Sequence, residues 1–548
     1  MPERRSLLDR RQFLKAAAFG IAGFSFPSPA NAARAPERRP NIVLIMADDM
    51  GFSDIGCYGG EIRTPNLDGL AEASLRFTQF YNTARCCPTR ASLLTGLYPH
   101  QAGVGHMTAD RGAPGYRGRL NKTCVTIAEV LKTRGYRTFA TGKWHVGAKD
   151  RNWWPLQRGF DRFYGVPEGG GFYFKPTSGR SIVLDNQAIH TADSGPMPEG
   201  WYSTDAWTDY GIKFIEESVQ RKEPFFFYLA HNAPHWPLQA LAEDIARYKG
   251  AYTGGWDKIR ARRHTRMIEM GIVEKQWPLT DRDEKARAWG NVDPQTKEKM
   301  DTKMAIYAAQ IDRMDRSIGR LVERLKSLGI LDDTLLLFLA DNGGCAEGGI
   351  WGFDRKAGPI GTADSHSSYG LSWANASNTP FRLYKHWVHE GGIATPLIAH
   401  WPAVIKQKGK LTHQPGHVID IMATCCDVAG ASYPKTYKGA PITPIEGKTL
   451  LPIFEGRTRE DHDAIYWEHE GNRAVRVGQW KLVAKGRKGP WELYNLRTDR
   501  SETENLADRY PERTKKMAEM WRAWAKRANV LPWPGQKKKA APKTTGRP

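Results

Sequence analysis

Two cysteines stand side by side in ARCCPTRASLLTG, Cys86 and Cys87, and are followed by Pro88, Thr89 and Arg90. Pro88 suits the first turn of a helix, and TRASLLTG continues one to its stop at Gly96, which sets Cys86 just ahead of a helix N-terminus. Backbone N–H groups exposed there favour anions and, for the same reason, a thiolate nucleophile. A cysteine hydrolase is one reading of that placement; a buried structural cysteine is the other. A second chemical group is acidic. Asp48-Asp49 close the run PNIVLIMADDM, and Asp341-Asn342 close DTLLLFLADNGG far downstream. Clustered carboxylates with an amide are hard oxygen ligands suited to Ca²⁺ or Mg²⁺. A lone acid after a strand more often caps the next helix, so it is the doubling of the pattern that points to a metal.

Both acidic pairs need a strand to deliver them. Ile42–Met46 and Leu335–Leu339 are short, continuous apolar runs, as expected of strands buried on both faces of a parallel sheet. In open α/β sheets sites are built at the carboxyl edge, where these acids fall. Between them extended and helical patterns alternate. TCVTIAEVLKTRGYRTFATGKWH reads as a helix ending near Gly135, a strand over Tyr136–Ala140 and a polar turn holding Lys143 and His145. EPFFFYLAHNAPHWPLQA reads as a strand over Phe225–Leu229, then a polar stretch with His231 and His235. From Met304 to Leu328 apolar residues recur at helical spacing, and Gly329 closes the helix. This repeated β/α pattern predicts an α/β main domain, a layered sheet flanked by helices. After about residue 455, short alternating segments with glycine turns predict a small antiparallel sheet, and RYPERTKKMAEMWRAWAKRA predicts an amphipathic helix against it.

The 548 residues are 40% hydrophobic and 25% charged, a globular composition with length enough for a large domain and a smaller one. The seven cysteines are an odd number without CxxC spacing, and no tract is rich in histidine, so neither a disulfide scaffold nor a structural zinc site is expected. Part of the formal net charge of +21 sits in the arginine-rich start and the tail GQKKKAAPKTTGRP. Alone, that balance suits anionic substrates, nucleic acid or plain solubility. DRRQFLKAAAFGIAGFSFPSPANA couples Arg10-Arg11 to an apolar run and to Ala30-Asn31-Ala32, and is similar to a twin-arginine export signal, with Asp9 where Ser or Thr is usual. No segment reaches the roughly 18 uninterrupted apolar residues of a membrane span. The expectation is a signal over residues 1–32 read by the twin-arginine translocase, and an exported, periplasmic or secreted protein without a membrane anchor, starting near Ala33.

Cys86-Cys87-Pro88-Thr89-Arg90 with ASLLTG matches the signature C-x-P-[STA]-R-x-x-x-x-T-G. With NIVLIMADDMGFSDIGCYGG, TGKWHVG, NAPHWPLQA, LFLADNGG, SNTPFRLYKHWVHEGGIATPLIAHWP and WELYNLRTDRSETENLA in order, the chain resembles the type I, formylglycine-dependent sulfatases of the alkaline-phosphatase superfamily, bacterial arylsulfatases above all. The resemblance runs from about Asn41 to Leu506. It implies a large mixed, mostly parallel sheet sandwiched by helices over residues 33–455. A C-terminal subdomain over 456–530 and a disordered basic tail over 531–548 complete the expected organisation.

The same resemblance implies hydrolysis of sulfate monoesters to an alcohol or phenol and inorganic sulfate. Cys86 matches the cysteine that a maturation enzyme oxidises to formylglycine, whose hydrate is the nucleophile and whose second hydroxyl allows sulfate to be expelled; Cys87 is a bystander. Asp48, Asp49, Asp341 and Asn342, with residue 86, match the ligands of one Ca²⁺ ion. Arg90 would hold the aldehyde hydrate, and Lys143 and Lys385 would neutralise sulfate oxygens. His145 would take the proton that triggers release, and His235 would bond sulfate and assist the leaving oxygen. His231 and His389 are expected in supporting positions. Trp153, Trp154, Phe172, Tyr173 and Phe174 are either a pocket wall for an aryl or sugar group or simple packing. Rival expectations are a phosphonate monoester or phosphodiester hydrolase with the same nucleophile, and a non-catalytic binder of sulfated glycans. No nucleic-acid partner is expected.

Overall fold

Val43, Ile45 and Ala47 face one apolar core, Ile42, Leu44 and Met46 face another, and all six are closed to solvent. A strand covered on both sides demands this, which is why the run carries no polar residue. Burying a large aliphatic side chain contributes about 1.5–3 kcal/mol, so this strand anchors the fold. The computed structural model, which describes residues 39–356 and 358–534, places it as β1 (Asn41–Ala47) in the interior of an 11-stranded mixed sheet. The other strands are β2 (Leu75–Tyr81), β3 (Arg137–Lys143), β4 (Arg162–Val166), β5 (Ser181–Leu184), β6 (Gln187–Thr191), β7 (Phe225–Ala230), β8 (Thr334–Ala340), β9 (Ala394–His400), β10 (Leu411–Thr412) and β11 (Gly416–His417). Their order is β10-β2-β9-β8-β1-β7-β3-β4-β5-β6, with β11 also on β2. Strands β8, β1, β7, β3 and β4 are mutually parallel. β9 runs antiparallel to β8 and β2, and β5 and β6 turn back at the far edge.

Helices cover both faces. Ser203–Gln220 and Pro294–Ser327 pack on the Val43 side; Cys86–Thr95, Ile127–Leu131 and Asp420–Val428 pack on the Ile42 side. The long helix starts at Pro294, earlier than its apolar periodicity, because Asp293 caps it by accepting from the Thr296 amide at 2.9 Å. Strand β3 runs on to Lys143 instead of stopping at Ala140. Pairing of Gly142 with Ala230 and of Lys143 with Val166 draws a polar end into the sheet.

At the C-terminal end, strands Ile465–His469, Asn472–Val477, Trp480–Ala484 and Glu492–Asn495 form an antiparallel sheet, with helix Pro511–Arg527 packed on it through Trp521 and Trp524. Trp467 and Val483 of this sheet share the core that holds Val43. Lys481 Nζ lies 2.9 Å from Glu390 and 2.7 Å from Glu502, and Arg500 Nε lies 2.8 Å from Glu390, all four side chains being buried. Trp533 Nε1 donates to Glu468 at 3.2 Å, so the chain is still packed where the basic tail was expected to begin. The expected export signal and the tail from residue 535 lie outside the described residues. Among the described residues no helix is long and apolar enough to cross a membrane.

Candidate active site

Ala47 of β1 lies opposite Ala340 of β8, so Asp48-Asp49 and Asp341-Asn342 leave the sheet side by side. The Asp341 amide donates to the Ala47 carbonyl at 3.0 Å and the Asp48 amide to the Ala233 carbonyl at 2.9 Å. Asp49 then turns through a φ of 65°, and its amide donates to Asp341 Oδ1 at 3.2 Å. Left-handed backbone at non-glycine residues is held only where the surroundings over-determine it, and His145 (φ 59°) shares the conformation. Lys143 arrives at the same edge from the end of β3.

Each acid meets a buried cation. Lys143 Nζ is 2.5 Å from Asp48 Oδ2, Lys385 Nζ is 2.7 Å from Asp49 Oδ2, and Arg90 Nη2 is 2.8 Å from Asp341 Oδ2. Arg90 also donates to the Lys143 carbonyl at 2.9 Å and the Tyr228 hydroxyl at 3.3 Å, which fixes its guanidinium. Asn342 Nδ2 donates to Asp49 Oδ1 at 2.7 Å. Burial opposes the charge on Asp49, but His235 and Lys385 hold its carboxyl well below the usual range. Asp341 is pushed well up, by burial and then by neighbouring Asp48, despite Arg90. Asp48 Oδ1 and Asn342 Oδ1 are buried oxygens with no hydrogen-bond partner. An all-oxygen donor set with two open acceptors fits a hard divalent ion such as Ca²⁺.

Cys86 is the first residue of its helix rather than the residue before it, and is buried. A hydrogen bond from Cys87, then Lys143 and His145, draw its thiol well below the ordinary value against the effect of burial. Cys86, Cys87 and His145 each offer a ligand-type atom within 4.8 Å of the others. Burial holds the His145 imidazole at about 4, and its Nδ1 has no partner. A Cβ on Gly169 would fall 1.9 Å from His145 Nε2, so only glycine lets the 168–170 loop cross the ring. His235 Nδ1 contacts the Trp236 carbonyl at 2.5 Å, which fixes the tautomer and turns Nε2 toward the site. That Nε2 is 3.4 Å from both Asp49 Oδ2 and Lys385 Nζ.

All ten expected site residues are therefore joined in one network, and Cys86, His145, His235 and Lys385 open into a cavity of about 370 Å³. Its remaining lining includes Arg85, Glu168, Arg180, Trp236 and Glu347, which sequence reading passed over. Arg85 and Trp236 directly flank Cys86 and His235; Glu168 and Arg180 bound the loop EGGGFYFKPTSGR, whose glycines were its one signal. Arg180 is held by the Gly169 carbonyl at 2.5 Å and Thr177 Oγ1 at 2.8 Å, and forms no ion pair among the described residues. The five aromatics considered for a pocket wall do not line this cavity. Phe172, Tyr173 and Trp154 are buried in the cores, Phe174 packs against them, and Trp153 borders a separate groove. His231 and His389 are fully buried outside the cavity lining; His389 Nε2 is 3.5 Å from Glu492.

Residues 40–431 match the sulfatase family, and residues 381–528 match the C-terminal region of N-sulphoglucosamine sulphohydrolase. The chain is 34% identical to an arylsulfatase of Klebsiella aerogenes over 453 residues, covering 80% of this chain and 97% of that one. It is 33% identical to an uncharacterised sulfatase of Schizosaccharomyces pombe over 542 residues, 91% of this chain and 96% of the other. The solved structure of Ps i-CgsB in complex with k-i-k-neocarrahexaose is similar with a TM-score of 0.65 and 26% identity, covering 90% of this chain and 98% of that one. With the acids, the cysteine helix and the lysines meeting at one sheet edge, the chain belongs to the sulfatase family of sulfuric ester hydrolases, within the alkaline-phosphatase superfamily.

Proposed function

We propose that this sulfatase works through residue 86 after a maturation enzyme has oxidised Cys86 to formylglycine, with one calcium ion held by Asp48, Asp49, Asp341 and Asn342. The observation that carries the reading is the convergence of Cys86, His145, His235 and Lys385 on one cavity directly above the acidic cluster. When bound, calcium supplies polarisation of the ester and a lower pKa for the attacking hydroxyl. Formylglycine supplies, as its hydrate, that hydroxyl and a second one through which sulfate is expelled.

The chain's own residues do the rest. Lys143 and Lys385 neutralise the sulfate oxygens from positions fixed by Asp48 and Asp49. His145, kept neutral at pH 7 by burial, accepts the proton at release, and His235 Nε2 serves the leaving oxygen. Arg90, immobilised on Asp341, holds the nucleophile in line. The substrate assigned is a sulfated sugar rather than an apolar steroid. Support comes from the polar lining, from the Arg180 guanidinium beside Glu168, which forms no ion pair among the described residues, and from the likeness to the structure of Ps i-CgsB in complex with k-i-k-neocarrahexaose. Cys86 is oxidised before the chain leaves the cell by the twin-arginine route, which carries folded proteins.

Comparing kcat/KM for sulfated oligosaccharides, a steroid sulfate, an aryl sulfate and an aryl phosphate diester tests this. Sulfated sugars should lead the steroid by about tenfold or more, and Arg180→Ala should erase that lead. Preference for the steroid would overturn the substrate class; preference for the phosphate diester would overturn sulfate as the group transferred.

A further inference from the structure

Beside the catalytic cavity, His386, His469 and Glu470 each bring a ligand-type atom within 4.8 Å of the others. His386 directly follows Lys385, while His469 and Glu470 form the turn between the first two strands of the C-terminal sheet. Glu470 is the hub. Its carboxylate lies 2.8 Å from His386 Nδ1, 2.5 Å from His106 Nε2 and 4.0 Å from His469 Nε2. Asn472 Nδ2 donates to the His386 carbonyl at 3.2 Å and the His469 carbonyl at 3.0 Å, tying together the two segments that carry the three side chains. His106 stacks on the His469 ring with centroids 5.7 Å apart, and His386 meets it edge-on at 5.6 Å.

Contact with Glu470 accounts for His106 and His386 but not for His469. That ring is fully buried, and neither nitrogen has a hydrogen-bond partner. A polar ring so placed needs a partner that the described residues do not supply.

We propose that His386, His469 and Glu470 form a second metal site, for a divalent transition-metal ion of the zinc type. Two imidazoles and a carboxylate are a borderline-soft set that zinc prefers, whereas the all-oxygen cluster at Asp48 suits calcium, so the two sites discriminate by donor type. The ion would lock residue 386, whose neighbour Lys385 lines the catalytic cavity, and so would stiffen its wall. Local spacing gives no sign of this set because its residues meet from segments far apart in the chain.

The full chain, kept in calcium, is equilibrated with zinc, freed of excess and analysed for both metals by mass spectrometry. Retention of about one zinc per chain at unchanged calcium is expected. Cobalt in its place should give the visible absorption of a nitrogen- and oxygen-ligated ion. His469→Ala and Glu470→Gln should each lower zinc affinity about tenfold or more and leave calcium content alone. Should His469→Ala not fold, Glu470→Gln, whose side chain is 33% exposed, carries the comparison. Wild-type protein that retains no zinc at micromolar free metal, or a Glu470→Gln variant that binds it as tightly as wild type, would overturn the proposal.

Discussion

Arg90 directs both Nη2 and Nε at one oxygen of Asp341, Oδ2, at 2.8 and 3.2 Å, and leaves Oδ1 to the Asp49 amide. The carboxylate is thus fixed in orientation before any ion arrives, and its charge balances both Arg90 and a bound cation. Asp341→Asn keeps the shape and removes that charge. Its kcat is expected to fall about 100-fold or more, with weaker calcium binding by titration calorimetry and an unchanged circular dichroism spectrum. A variant with the wild-type rate and calcium affinity would contradict the assignment, as would a chelated enzyme that keeps full activity.

Gly169 crosses His145 with no room for a side chain. Gly169→Ala should displace the imidazole and lower kcat by about 100-fold, since small misplacements at a reacting centre have effects of that order. The melting temperature should move little, because Gly169 itself lines the cavity and belongs to neither core. Unchanged kcat in this variant would mean that His145 does not need its observed position.

The C-terminal sheet is tied to the main one by the buried Glu390–Lys481–Glu502 cluster. Lys481→Met leaves two carboxylates with reduced compensation and should destabilise the protein by about 3–5 kcal/mol, read by urea unfolding, with near-normal activity per folded molecule. Burial opposes ionisation of Glu390, but Lys481 and Arg500 hold its pKa down to about 2 from 4.5. A depressed folded-state pKa stabilises the fold above the unfolded value and ceases to do so as pH falls through the folded one. Wild-type stability should therefore decline between about pH 4.5 and 2, and less steeply in Lys481→Met. Equal slopes in the two proteins would refute the linkage.

The strands that carry the acids were legible because burial on both faces leaves an uninterrupted apolar run with an abrupt polar end, as at Met46–Asp48. The convergence of Asp48 with Asp341 follows from a register, Ala47 against Ala340, that local pattern does not encode. The end of β3 lies beyond its apolar run for the same reason, since Gly142 and Lys143 are strand residues only through their partners on β7 and β4. Roles for Lys143, Lys385 and the histidines came from the motifs around them, a lone lysine or histidine carrying no chemical signal of its own. Arg180, Glu168 and the His386–His469–Glu470 group carry no local signal because only tertiary contacts bring them together.

In the proposed mechanism residue 86 attacks sulfur, and its matured form is needed for release. Cys86→Ser, made in a host that does not oxidise serine, keeps a hydroxyl at the same helix N-terminus beside the acidic cluster, so attack on a reactive aryl sulfate remains open. Serine has no second oxygen on Cβ to expel the sulfate. Mass spectrometry of the active-site peptide after exposure to substrate should show a sulfate ester at position 86, with at most about one turnover per site against an ordinary enzyme range of about 1–1,000 per second. Sustained multiple turnover by the serine variant, verified as unoxidised, would contradict the account.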